Sequence, residues 1–268
     1  MTTAATAPMT ETLDALGATL TYDVRRNDAT RDVPLLLIGS PMGAAGFGTL
    51  AGHFADRTVA TYDPRGVERS TKADPTAEST PEQHADDMHR VIEAVGAGPV
   101  DLFATSGGAV NALALVAKHP EDVRILVAHE PPLASVLPDR ENALAVARAV
   151  HETYEHNGFG AGMAHFMMVV SHRGPFPDGF AQQPPPDPAM FGMPAVDDGS
   201  RTDPLLGQNL ITCTHYQPDF DALRRLHTCR VVDRFEEVAD RPDPRPQRPR
   251  GGKVKILDQQ PVELDARG

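Results

Sequence analysis

The stretch that most narrows what this chain can fold into is residues 100–112, Val-Asp-Leu-Phe-Ala-Thr-Ser-Gly-Gly-Ala-Val-Asn-Ala. An apolar segment of strand length passes through a corner centred on Ser106 and runs directly into a stretch of helical character. Ala104 stands two residues before the serine and Gly108 two after it. Small residues at these places let two backbones approach closely across a sharp strand-to-helix turn. This is the shape of a nucleophile elbow, which lifts the serine oxygen above the sheet and aims the following N–H and the helix N-terminus at the same point. Ala104 takes the place of the commoner first glycine, and small size is the physical requirement. Ser and Gly also occur in strand-to-helix turns for turn chemistry alone, so the weight placed on Ser106 depends on its surroundings.

Those surroundings alternate strand and helix. Residues 18–24 alternate apolar and polar as a half-buried strand does, and are expected near a sheet edge. Residues 33–38 form a continuous apolar run, the pattern of a central parallel strand covered on both faces. The following loop, Gly39-Ser40-Pro41-Met42-Gly43-Ala44-Ala45-Gly46, is built of small residues that let backbone N–H groups approach a ligand. Residues 58–62 read as another strand, closed by the turn Asp63-Pro64-Arg65-Gly66. Thr80-Pro81-Glu82-Gln83 opens a helix with a capping residue, a proline at the first helical position and an acid in the first turn. Met88, Val91, Ile92 and Val95 then recur at helical spacing, so that face is expected to pack on the sheet. A last strand over 121–130 stops at Pro131-Pro132. This order predicts an α/β fold with a doubly wound, mostly parallel sheet whose ligands bind at the carboxyl ends of the strands.

Four regions are expected. Residues 1–17 read as a flexible leader and 18–132 as the α/β core. Residues 133–218 form a helical and Pro-rich lid, helical over 139–156 and 162–171. Residues 219–268 hold a remnant of the core, with a helix near 219–226 and a strand beginning at Cys229. An Arg/Pro-rich tail follows that cannot bury apolar surface. Met163, Phe166, Met167 and Met168 either line an apolar pocket under the lid or pack as ordinary core.

Composition removes several function classes. A formal charge of −12 repels polyphosphate and anionic lipid surfaces, so neither nucleic acid nor membrane is an expected partner. The two cysteines, Cys213 and Cys229, are too few for a disulfide framework or a structural zinc site. The first residues lack a basic start and an apolar core, and no apolar run reaches the ~20 residues that span a bilayer; a cytoplasmic location is the expectation. His84, His89, His119, His151, His156, His165 and His172 show no spacing typical of metal ligands. No metal or cofactor is expected. The pattern Gly39-x-x-x-Gly43-x-x-Gly46 with Asp63 some 20 residues on invites a dinucleotide reading, but Pro41 disturbs a phosphate-cradling turn and no Tyr-x-x-x-Lys pair accompanies it. Asp63 and Arg65 are expected to pair and brace their turn.

Three motifs in fixed order carry a resemblance over roughly residues 18–132 plus the lid: Gly39-Ser40-Pro41-Met42-Gly43, Tyr62-Asp63-Pro64-Arg65-Gly66 ending at Ser70, and Ala104-x-Ser106-x-Gly108. Together they resemble the α/β-hydrolase superfamily of serine hydrolases. In that family the first motif usually reads His-Gly where this chain has Gly39-Ser40, and a second glycine is common where Glu68 stands. The resemblance implies Ser106 as nucleophile, with the N–H groups of Met42 and Gly107 as oxyanion donors, Pro41 having no N–H to give. One such donor is typically worth ~3 kcal/mol of barrier. The family also places an acid and a histidine late in the chain. Glu130 is a candidate acid; no histidine follows His227, and the base is not identified. A shifted reading frame or truncation after about Leu226 is the expected reason, with recruitment of His215 or His227 as the other. The implied activity is hydrolysis of an ester, lactone or similar acyl bond in a small molecule. The other reading is a non-catalytic member of the fold that binds a small apolar ligand.

Overall fold

A computed structural model describes residues 7–96, 98–224 and 229–232. The chain opens with an antiparallel hairpin, β1 (Met9–Ala15) and β2 (Ala18–Arg25), turned at Gly17, whose φ of 71° favours glycine. The expected leader is thereby corrected over 9–15. Thr and acidic residues alternate there with Leu13 and Ala15, which pack onto the core, and β2 supplies the pairing partner that a local reading cannot see.

The remaining strands are β3 (Leu35–Ile38), β4 (Val59–Tyr62), β5 (Thr71–Lys72), β6 (Val100–Thr105), β7 (Val123–His129) and β8 (Cys229–Val232). They join in the order β1-β2-β4-β3-β6-β7-β8, with β5 on β2. From β4 to β8 neighbours run parallel, as the buried apolar runs of β3 and β4 require. One face is covered by α2 (Pro81–Val95) and α3 (Gly107–Lys118), which bury Met88, Val91, Ile92 and Leu115 against Leu36, Leu102 and Leu126. Thr80 caps α2 through a reciprocal box with Gln83, as its sequence signature predicts. The opposite face carries the short α1 (Gly48–Gly52) over a smaller cluster of Leu35, Leu37, Phe47 and Val59.

The lid follows β7. Its principal element is α4 (Arg140–Ser171), one helix where two stretches were expected, broken at Gly158 (φ 83°). The segment 194–197 crosses this break so closely that a side chain at Gly158 would collide with Asp197, and one at Gly160 with the Pro194 carbonyl. Met163 and Phe166 pack in the lid's own cluster with Val150, Tyr154, Leu206 and Leu210, the core reading of that stripe. After a wide helical turn at Pro204–Asn209, α5 (Leu210–Thr214) returns the chain to the core and α6 (Phe220–Arg224) leads toward β8. β8 pairs with β7 in parallel. Residues 1–6 of the leader, His227 and the Arg/Pro-rich tail lie outside the described residues.

Candidate active site

Ser106 occupies the corner between β6 and α3 with φ 55° and ψ −133°. A non-glycine residue in that region is strained. The geometry is held from both sides. The Ser106 N–H donates to the His129 carbonyl at 2.9 Å, and the Ser106 carbonyl accepts from Ala109 N–H at 2.9 Å. The serine is exposed while Gly107 and Gly108 are buried. A Cβ on Gly107 would stand 2.8 Å from the Ser40 carbonyl oxygen, and one on Gly108 2.8 Å from Gly39 backbone atoms. The elbow and the 39–43 loop therefore touch backbone to backbone, which is why small residues occupy both. Met42 is 39% exposed and its side chain folds back over Gly46. Among the described residues, neither Met42 N–H nor Gly107 N–H donates a hydrogen bond.

Strain recurs at this edge of the sheet. Among the described residues, the three non-glycine residues with positive φ are Glu68, Ser106 and Glu130, each in a turn beyond the carboxyl end of β4, β6 or β7. Glu68 at φ 47° explains why its position suits glycine. Glu130 (φ 50°) is exposed and immediately follows β7.

Asp63 and Arg65 do not pair, which corrects that expectation. Asp63 accepts from Ala44 N–H at 2.7 Å and from Arg69 Nε at 2.6 Å, tying the 39–46 loop to the turn after β4. Arg65 turns the other way and makes a bidentate pair with Asp87 on α2, both bonds 2.7 Å, with the two side chains 5% and 1% exposed. Two neighbours on a turn point to opposite sides, so adjacency in sequence does not make them partners.

His215 and His129 are engaged by groups other than Ser106 Oγ. His215 Nε2 meets the Arg148 guanidinium at 3.0 Å and its Nδ1 lies 3.1 Å from the Ile211 carbonyl, while burial and Arg148 lower its pKa. His129, which spacing did not single out, has Nδ1 3.0 Å from Thr105 Oγ1 and its ring against Phe103. Among the described residues no histidine is hydrogen-bonded to Ser106 Oγ. Cys213 lies beside the elbow, its Sγ 3.4 Å from where a Gly107 Cβ would be. Burial pushes this thiol up to about 12, so it packs and does not react.

A cavity of about 520 Å³ opens between β2, β4 and α1, lined by Asp23, Arg25, Phe47, Thr61, Glu68 and Arg69. It borders the loop after β3 and does not include Ser106. Among the described residues no helix is long and apolar enough to cross a membrane.

A family model described as the alpha/beta hydrolase fold matches residues 35–154. The uncharacterized hydrolase YraK of Bacillus subtilis (strain 168) is 37% identical over 131 residues, 48% of this chain and 47% of YraK. The chain thus spans about half the length of this curated relative. Among solved structures, a putative epoxide hydrolase from Pseudomonas aeruginosa superposes with a TM-score of 0.54 at 16% identity, covering 84% of this chain and 78% of that one. An alpha/beta hydrolase enzyme from a Medee basin deep-sea metagenome library gives a TM-score of 0.57 at 14% identity, covering 82% and 78%. The mostly parallel sheet, the strained corner between β6 and α3 and the match over 35–154 agree, and the chain has the α/β-hydrolase fold.

Proposed function

We propose that the chain is a serine hydrolase of small-molecule esters, lactones or related acyl bonds, with Ser106 as nucleophile. The observation that carries this reading is the elbow itself: an exposed serine at φ 55°, held by its own N–H and carbonyl, with Gly107 N–H beside it at the start of α3. In the proposed reaction Ser106 Oγ attacks the substrate carbonyl carbon and the carbonyl oxygen becomes an oxyanion. Gly107 N–H and Met42 N–H donate to it, helped by the positive end of α3. Collapse expels the alcohol and leaves an acyl-serine, which water hydrolyses. A serine hydroxyl needs a base to take its proton, and an acid to orient that base. Glu130, at the strained end of β7, is proposed for the acid, and no residue is assigned as the base. The hydrolase names of the relatives support the class of reaction.

A fluorophosphonate probe tests the proposal directly. Labelling on the peptide containing Ser106, abolished in Ser106→Ala, is the expected result. Turnover of a 4-nitrophenyl ester is then expected to fall by about 10³-fold or more in the same variant. The second reading is a fold member that binds an apolar ligand without chemistry. Folded protein that takes no label supports that second reading.

A further inference from the structure

We propose that the end of the molecule opposite the elbow binds a divalent transition-metal ion of the zinc class through His89, His119 and Asp122. His89 lies on α2, His119 is the residue that ends α3, and Asp122 stands just before β7. Each offers one ligand atom, and the three atoms lie within 4.8 Å of one another. His89 Nδ1 is 2.7 Å from Asp122 Oδ2. Two imidazoles and one carboxylate form a donor set that suits Zn²⁺, with water completing four-coordination.

Three further observations point to a cation. His119 Nε2 is shielded from solvent and has no hydrogen-bond partner; its nearest carboxylate, Asp86, is 3.7 Å away. Such a buried nitrogen has lost its water without gaining a partner, a cost that a metal bond relieves. Each imidazole nitrogen also has its own carboxylate. Glu93 is 3.6 Å from His89 Nε2, and Glu121 is 3.7 Å from His119 Nδ1. Whichever nitrogen of His119 ligates, an acid stands near the other to accept its N–H and fix the tautomer, as in established metal sites. Finally, the cluster sits at the carboxyl end of α3, where the helix dipole favours positive charge. Lys118 is nearby, but it is paired with Asp86.

The rings are stacked 4.0 Å apart and within 7° of parallel. Their lone pairs point side by side, so closing on one ion takes a tilt of one ring about its broad terminal torsion. The 12 residues of α3 put the site about 18 Å from Ser106, so its role is to clamp α2, α3 and the start of β7, with no part in the chemistry at the elbow.

The test is calorimetric titration of ZnCl₂ into the full chain, tag-free and first stripped with chelator. One equivalent is expected to bind, and the melting temperature to rise by about 5 °C when free Zn²⁺ is 100-fold above Kd. The double variant His89→Asn/His119→Asn is expected to lose at least about 100-fold in affinity and all of the thermal shift. Should that variant not fold, Asp122→Asn decides, with an expected loss of about tenfold. No stoichiometric binding to the parent chain, or affinity undiminished in the folded variant, overturns the site. Neither outcome depends on hydrolase activity.

Discussion

The α/β core and the lid that follows it are held together by different physics. The core is closed by apolar burial and by backbone contacts that leave no room for a side chain, such as Gly108 against Gly39. Its few polar anchors are dry and bidentate, as between Arg65 and Asp87. The lid has one small apolar cluster of its own and, toward its rim, the half-buried ion pair of Arg201 with Asp197. The seam between them is polar yet buried. His84 Nε2 meets Asn209 Oδ1 at 3.1 Å, Lys72 Nζ donates to Gln208 Oε1 at 2.9 Å, and Thr212 Oγ1 donates to the Ser79 carbonyl at 2.8 Å. Directional contacts of this kind fix where the lid attaches, while its outer surface stays free to vary. A core built this way tolerates little change, and in the lid tolerance is confined to the outer rim, since Gly158 and Gly160 inside it leave no room for a side chain.

Four measurements sharpen or break that contrast. Asp87→Ala leaves the Arg65 guanidinium buried and unpaired, and is expected to cost about 3–5 kcal/mol by denaturant unfolding. A loss within 1 kcal/mol would mean the core does not depend on this anchor. Gly108→Ala forces a Cβ to 2.8 Å from Gly39 backbone and is expected to cost about 2 kcal/mol. Because it displaces the loop carrying Met42, ester turnover should fall in this variant through kcat with KM little changed.

At the seam the expected effect is pH-dependent. Burial, with help from Arg65, lowers the His84 pKa to about 3, so the ring is neutral in the folded chain. In the unfolded chain it takes up a proton near pH 6.5. The stability it contributes is therefore complete above pH 6.5 and is lost as pH falls toward 3, about 2 kcal/mol of it by pH 5. His84→Gln should flatten this acid limb in a series of melts from pH 7 to 5. An unchanged limb would remove His84 from the seam's energetics. The smallest effect is expected on the lid's rim, where Arg201→Ala should move the melting temperature by about 2 °C or less. A large drop there would erase the distinction between the two regions.

Legibility in the sequence follows the range of the interaction. The capped start of α2, the apolar strands and the elbow could be read directly because each is decided within a few residues: a Thr-Pro-x-Gln start, a continuous apolar run, glycines where backbones meet. β1 could not, because its half-polar alternation becomes a strand only when β2 pairs with it. The partners of Asp63 and Arg65 were hidden for a similar reason. Arg69 is six residues on and Asp87 is 22 residues on, with a turn and a helix start between.

The sequence by itself marked the place where a strand turns sharply into a helix at Ser106, since Ala104, Gly107 and Gly108 are small enough to let two backbones meet there. Only the tertiary structure decided what each end of that helix faces. At its start the Gly39–Ser40 backbone closes on the serine corner, and at its end His119 meets His89 and Asp122. The first arrangement is steric and local in origin, so it leaves a motif. The second joins residues 30 positions apart on separate elements, and sequence spacing carries no trace of it.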